Sequence, residues 1–511
     1  MGELKQKVFS GAIWLTLERF QGQFFDFALG MVLARLLTPG DYGTVALTAI
    51  FFVVARSLAD CGLGVSLIQK KDADDLDFNS VFYASLALTS CVYAVLFFAA
   101  PLIADFYHEP VLVSVVRVSG LTLFAFSVNS VQTAEMTRKL RFDLMFKVSL
   151  ICGFANAAIG ITLALLGFGV WALVLSSVLT GFVNVAARWL LIRWRPRLEF
   201  SWARVKSLVS FGWKVSATQM LDNFFNQLSG MMIGRFYTKV DLAFYDKGNG
   251  IPQRALLSID PAISGAAYPA FVQMQDDSER LLDAMRKMGQ CSLYLVAPTM
   301  LFISSSAPDL VLVLFGDQWL PSSPYMRLVC LTCVCYPIIS VHNKVLMAKG
   351  RSGAVLFIDI VMHVLDILLI VTCLRFSVLT FVAVGCLTAG PLMILLHVLF
   401  TRKLIGYHFR HLVQDSAPIL ACCACAFAAM WGGHVLADVC FRNVSCSPTA
   451  LAVARLVVEG VLLGVVYLVL SWFFRLKPFL ECCSIAQSFC ARRFPALSAR
   501  CENLFRFLVR E

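Results

Sequence analysis

Two apolar stretches 200 residues apart carry polar side chains at the same helical spacing. The first holds Arg19, Gln23 and Asp26, followed by Gly30; the second holds Gln219, Asn223 and Asn226, followed by Gly230, with Asp222 alongside. Steps of four, three and four place each set on one face of a helix. Arg56 and Asp60 lie one turn apart in another stretch, and Arg254 sits deep in a stretch that also holds Asp246, Lys247, Pro252, Asp260 and Pro261. These residue types suit recognition more than bond-making. An arginine fork pairs two oxygens of an anion, amides meet hydroxyls, and Asp26 and Asp222 are candidates for a cation. Polar groups inside membrane spans are costly and usually face a bundle interior or a watery cavity. The ordinary alternative is hydrogen bonding between helices. Arg56 with Asp60, and Asp246 with Lys247, also read as neutralising pairs, and His342 and Lys344 as groups snorkelling to the end of their span. Arg19 and Arg254 are harder to dismiss: Asp26 lies two turns from Arg19, and Asp260 lies on a different side from Arg254.

The elements that must hold these residues are membrane helices. Of 511 residues, 59% are hydrophobic and 15% charged, with a mean hydropathy of +0.77, too apolar for a soluble chain. With roughly twenty residues per crossing, about fourteen spans start near Phe9, Gly43, Val81, Val111, Leu144, Val170, Phe211, Leu242, Gly289, Pro324, Gly353, Leu379, Ala417 and Leu451. Every second gap is basic: Lys70–Lys71, Arg138–Lys139–Arg141, Arg193–Arg195–Arg197, Arg286–Lys287, Lys349–Arg351 and Arg402–Lys403. The gaps between them are nearly bare of Lys and Arg, and cytoplasmic loops keep the positive excess. The expected protein is therefore a multi-pass inner-membrane protein with both termini cytoplasmic. Its net charge of +11 resides in the inside loops and tail and implies no nucleic acid.

Several chemistries are excluded. There is no G-x-x-x-x-G-K-[ST] for ATP and no H-E-x-x-H for zinc, and the outside loops are too short for a hydrolase or transferase site. Cys330, Cys333 and Cys335 lack a second ligand pair, so no metal is expected; most of the 18 cysteines act as small hydrophobes. Cys440 and Cys446, in an outside loop, are the one candidate disulfide. No cofactor is expected, although a proton or sodium ion could couple to the carboxylates.

A 200-residue shift superposes Phe24-Phe25 on Phe224-Phe225, Gly30-Met31 on Gly230-Met231, Arg35 on Arg235, Thr38 on Thr238 and Asp41 on Asp241: seven identities in eighteen positions, without a gap. Six spans separate the two starts, so the halves run parallel. The expected organisation is an all-α fold with two pseudo-symmetric six-helix lobes, 1–194 and 211–405, joined by an interfacial linker at 195–210. Two additional spans (406–474) and a cytoplasmic tail (475–511) follow. Repeat-built transporters bind at the repeat interface and rock.

The run Leu33-Ala34-Arg35-Leu36-Leu37-Thr38-Pro39-Gly40-Asp41-Tyr42-Gly43 closely resembles the opening signature of polysaccharide exporters in the multidrug/oligosaccharidyl-lipid/polysaccharide flippase superfamily. The resemblance continues through Gly62-Leu63-Gly64, Leu67-Ile68-Gln69, Gly169–Val174, Tyr245-Asp246-Lys247, Tyr268-Pro269, Leu314–Trp319 and Lys349-Gly350-Arg351. It is greatest to the colanic acid exporter-like lipopolysaccharide-biosynthesis branch and covers the first twelve spans. It implies a flippase for a polyprenyl-diphosphate-linked oligosaccharide, serving O-antigen, capsule or exopolysaccharide synthesis by alternating access. Membrane lipid, a polysaccharide polymerase and glycosyltransferases are the implied partners. The substrate-binding candidates are then Arg19, Arg56 and Arg254 for the diphosphate. Gln23, Asp26, Gln219, Asp222, Asn223 and Asn226 are the candidates for sugar hydroxyls or a coupling cation. A drug/cation antiporter, a peptidoglycan-precursor flippase and a non-transporting scaffold are the rival readings. The polar rows argue against the scaffold.

Overall fold

A bilayer offers no water to a bare backbone, so each N–H and C=O must be satisfied within its own segment. The described backbone is accordingly helical almost throughout. The computed structural model describes residues 2–192, 194–264, 267–373, 375–441, 447–481 and 483–484. In chain order the helices are α1 (Gly2–Leu36), α2 (Pro39–Ala46), α3 (Ala49–Asp60), α4 (Leu63–Gln69), α5 (Asp75–Tyr107), α6 (Leu112–Ser119), α7 (Thr122–Arg138), α8 (Phe142–Leu165), α9 (Val170–Leu191), α10 (Trp202–Phe236), α11 (Lys239–Ser264), α12 (Ala267–Gln273), α13 (Ser278–Ser305), α14 (Ala307–Phe315), α15 (Ser323–Ala348), α16 (Ser352–Cys373), α17 (Val378–Ile405), α18 (Phe409–Phe441) and α19 (Pro448–Phe473).

Ten spans among the described residues are long and apolar enough to cross a membrane, with α2–α3 and α6–α7 each counting as one. An eleventh is α13 with α14, bent by 74° at Ser306. The other three helices of spanning length are α1, α10 and α11, at 35, 35 and 26 residues. They complete the fourteen that length and loop charge predict, and all three carry the polar residues singled out above. The structure is thus all-α and multi-pass.

The helices pack into two compact units, Met1–Ala243 and Phe244–Glu511. In the first, α1 lies along α8, α8 along α9, and α9 against α7; α10 lies along α3, α4 and α5. Leu29 and Leu33 of α1, with Leu37 just beyond its end, are buried against Ala164 and Ala172. Leu63, Leu67, Phe78, Phe82, Val131 and Leu208 make a second core. In the second unit, α13, α15 and α17 pack together and α18 pairs with α19. On the outside of α5, Phe98 and Leu102 are more than 70% exposed, as expected of a lipid-facing surface.

The 200-residue repeat reappears as geometry. α1 and α10 have equal length and bounds offset by 200 residues, as do the starts of α2 and α11. The matched Thr and Asp form the same capping box twice. Thr38 Oγ1 donates to Asp41 Oδ2 at 2.7 Å and accepts from the Asp41 N–H at 3.3 Å; Thr238 and Asp241 repeat this at 2.7 and 3.1 Å. These matched residues are therefore architectural.

Residues 195–201 run without helix, tied down where the Arg197 and Ser201 N–H groups donate to Asn79 Oδ1 and Ser80 Oγ. From Trp202 onward the segment expected to lie in the interface is the first part of α10, with no break before Phe236. Arg204 there faces Asp74 and Asp77. Asp74 caps α5. The N–H of Asp77, then Arg204 and Lys70, hold its carboxyl below the usual carboxylate range.

Candidate functional site

The polar row of α1 borders the side that packs on α8. Gly22 opposes Ser149, and the Phe25 ring covers Gly153, fixing the helix about its axis. Arg19, Gln23 and Asp26 remain exposed on the neighbouring face. On α10, close approach to α3 and α4 sets the rotation. A Cβ on Gly212 would lie 2.5 Å from the Gly62 carbonyl oxygen, and Ser216 Oγ donates to the Ser57 carbonyl at 3.1 Å. Gln219, Asp222, Asn223 and Asn226 then stay exposed beside that contact. Since α1 lies along α8 and α10 along α3, the two rows occupy different helix pairs of one unit.

Arg56 sits on α3, the helix that carries α10. Its guanidinium lies 6.0 Å from the centre of the Phe126 ring, while Asp60 accepts from Ser130 Oγ at 2.7 Å. Their spacing predicts mutual neutralisation, but Asp60 instead takes a hydroxyl from α7 and Arg56 stays exposed. Between α3, α5 and α10 lies a cavity of about 340 Å³ lined by Val54, Leu58, Val92, Val95, Phe224 and Met231. Its apolar lining is no place for a sugar.

In the second unit Arg254 is exposed. Asp260, two turns along α11, is buried and accepts from Ser292 Oγ at 2.7 Å and Ser340 Oγ at 3.0 Å. Lys247 lies 5.0 Å from the Phe315 ring and 5.2 Å from the Trp319 ring, a cation–π site. Gly248 lets α11 press on Ser322 and Tyr325. Tyr245–Gly248 and Phe315–Trp319, remote in sequence, therefore dock on one another.

His342 does not snorkel. It is 2% exposed, donates from Nδ1 to the Ile338 carbonyl at 2.7 Å and packs on the Tyr407 ring at 4.8 Å. Lys344 donates to Ser340 Oγ at 3.0 Å. Cys330 and Cys333 are buried along α15. Cys440 and Cys446 lie outside the residues whose side chains are described.

Sequence reasoning missed two polar groupings. Arg188 of α9 donates to Asn184 Oδ1 at 2.7 Å, Thr133 Oγ1 at 2.6 Å and the Asn129 carbonyl at 3.1 Å. The other lies in the second unit, where Asp309, His434 and Glu459 converge with Arg455. The one sequence signal for it is Arg455 and Glu459, one turn apart in the last span.

The model of the polysaccharide biosynthesis protein family matches residues 32–324. The chain is 28% identical to the succinoglycan biosynthesis transport protein ExoT of Rhizobium meliloti (strain 1021), over 67% of this chain and 69% of that one. It is 25% identical to the lipopolysaccharide biosynthesis protein WzxC of Escherichia coli (strain K12), over 68% and 71%. Among solved structures it is similar to lipid II flippase MurJ in an inward closed conformation. That similarity has a TM-score of 0.67 and 13% identity, covering 91% of this chain and 98% of that one. An inward-facing multidrug resistance MATE family transporter aligns with a TM-score of 0.59 and 17% identity, covering 78% and 98%. At these identities the structural likenesses establish the fold alone.

Proposed function

The chain belongs to the polysaccharide biosynthesis protein family, and from that premise we propose that it is a flippase for polyprenyl-diphosphate-linked oligosaccharides. It moves the repeat unit from the cytoplasmic to the outer leaflet of a bacterial inner membrane, both termini being cytoplasmic, to feed cell-surface polysaccharide synthesis. The observation that carries this reading is the pair of exposed polar rows, on α1 and α10, the two helices of equal length at the 200-residue offset. Sugars and a diphosphate cannot cross hydrocarbon unaided, because each unpaired polar group costs several kcal/mol. A polar path lets the headgroup cross while the polyprenyl tail stays among the lipids.

Arg19, Arg56 and Arg254 supply forks for the diphosphate. Gln23, Gln219, Asn223 and Asn226 meet sugar hydroxyls, and Asp26 and Asp222 sugar hydroxyls or a coupling cation. An inside-negative potential pushes two negative charges outward by roughly 4–5 kcal/mol per 100 mV, so the reading requires no ATP. The halves rock as repeat-built transporters do, and the polymerase and glycosyltransferases of the pathway are its functional partners.

The test is polysaccharide export in cells whose own exporter is deleted. Arg19→Ala and Arg254→Ala should each abolish export at unchanged protein abundance. The Lys replacements, which keep charge but lose the fork, should restore it only in part. Full export by both Ala variants would reject the assignment of these arginines. Failure of the unaltered chain to support export of any lipid-linked polysaccharide would reject the flippase reading itself.

A further inference from the structure

We propose that residues 195–206, between the end of α9 and the first turn of α10, form a docking edge for an anionic phospholipid. The segment is pinned by its backbone. The Arg197 N–H donates to Asn79 Oδ1 at 3.1 Å and the Ser201 N–H to Ser80 Oγ at 2.9 Å, and Asn79 and Ser80 of α5 are fully buried. Val205 and Leu208 of α10 are buried as well. What this leaves on the outside is an apolar edge: Leu198, Phe200 and Trp202 are 94%, 52% and 68% exposed. The rings of Phe200 and Trp202 stand 6.4 Å apart. Lys206 lies one turn from Trp202, on the same side of α10, and is exposed, as are Arg195 and Arg197.

The position of this edge points to lipid. α5 has 33 residues, about 50 Å of helix, for a hydrocarbon layer of about 30 Å, so its end turns reach the headgroups. Asn79 and Ser80 lie in its second turn, and the segment hangs from them at that depth. Tryptophan favours that layer, and a segment with an apolar edge and exposed cations lies in it with the edge toward the acyl chains.

Charge selects the headgroup. Arg204 is already used: with Lys70 it faces Asp74 and Asp77. Arg195 donates to the carbonyls of Trp189, Ile192 and Trp194, neutral acceptors that hold the guanidinium without compensating its charge. The side chains of Arg197 and Lys206 make no hydrogen bond or ion pair among the described residues. Against these three cations the segment has one carboxylate, Glu199. A lipid phosphate is a fit partner for an arginine fork, and each cation near an anionic surface raises binding about fivefold. A phosphatidylglycerol headgroup supplies the missing negative charge. A phosphatidylcholine headgroup brings its own cation and supplies none.

The experiment places the full chain, labelled with 5-fluorotryptophan, in phosphatidylcholine nanodiscs. Trp202→Phe identifies the Trp202 fluorine resonance among the nine tryptophans. Equal small fractions of phosphatidylglycerol or phosphatidylcholine, each spin-labelled near the top of one acyl chain, are then compared. The labelled phosphatidylglycerol should broaden the Trp202 resonance at least about fivefold more strongly. In the double variant Arg197→Gln/Lys206→Gln only Arg195 opposes Glu199, so the two lipids should broaden it equally. The same should hold for the unaltered chain in about 1 M salt, where the screening length is about 3 Å. Equal broadening by the two lipids in the unaltered chain at low salt, or an advantage that the double variant keeps, overturns the proposal. So does an advantage lost to millimolar inorganic phosphate at constant ionic strength, which would make a soluble phosphate the ligand. A resonance that neither lipid broadens overturns it too, and would leave the edge to a protein partner. No oligosaccharide and no transport enter the assay, so its failure leaves the flippase reading untouched.

Discussion

Replacing Gly212 by alanine should loosen the packing that orients the polar row of α10. The added Cβ would stand 2.5 Å from the Gly62 carbonyl oxygen and 2.5 Å from Ser66 Oγ. Both neighbours are hard to move. The first is backbone at the α3–α4 break, and Ser66 Oγ donates to the Gly62 and Leu208 carbonyls at 2.9 and 3.0 Å, holding α4 to α10. Overpacking of this kind costs about 1–3 kcal/mol. For a folding unit of 150–250 residues each kcal/mol is worth roughly 2–4 °C, so the midpoint should fall by roughly 2–12 °C. Gly62→Ala should cost more. It meets the same neighbour from the other side, its built Cβ 2.5 Å from the Gly212 carbonyl carbon, and Gly62 has φ +70°, where a Cβ adds about 1–2 kcal/mol. Gly30→Ala is the control. Nothing lies within 4 Å of its built Cβ, and alanine inside a helix is favoured over glycine by about 0.5–1 kcal/mol. Thermal unfolding of the three variants in one detergent should rank them Gly62→Ala lowest, then Gly212→Ala, then the unaltered chain, with Gly30→Ala at or above it. A Gly212→Ala midpoint equal to that of the unaltered chain would refute the close approach of α10 to α4.

The duplicated caps should behave as a pair: Thr38→Ala and Thr238→Ala should each cost about 1 kcal/mol in the same unfolding assay. A loss at one site and none at the other would show that the repeat does not extend to their energetics. For topology, reporter fusions after Lys71 and after Glu109 should give cytoplasmic and external signals respectively, and the same signal from both would overturn the loop-charge assignment.

Chain length and loop charge sufficed for the number of helices, because a span has a fixed length and charged gaps mark where one span ends and the next begins. The repeat was legible for a local reason: Thr38 and Asp41, like Thr238 and Asp241, cap within three residues of themselves. Partners distant in sequence were not legible. Asp60 sits one turn from Arg56, yet Ser130, 70 residues away, takes its carboxylate. Arg188 has one partner in its own span, Asn184 a turn earlier, but Thr133 and Asn129 come from α7. The 195–210 segment mixes basic and apolar residues as an interfacial helix would, but composition does not say where a helix begins, and α10 starts inside it at Trp202. His342 has the polarity of a snorkelling group, and only the packing of Tyr407 reveals that it is sealed in.

The polar groups of this protein divide by exposure, and that division separates architecture from transport. Arg188, Asp60, Asp260 and Glu459 each make hydrogen bonds to neighbouring helices; that is how a membrane bundle accommodates polar atoms that serve packing. Arg19, Gln23, Asp26, Gln219, Asp222, Asn223, Asn226 and Arg254 stay exposed on α1, α10 and α11, three helices too polar to pass as ordinary spans. Eight exposed polar side chains facing hydrocarbon would be costly, whereas facing water or a hydrated headgroup they are not. Packing alone gives no reason for two repeat-related helices to carry such rows in one register. Access of water to both rows gives one.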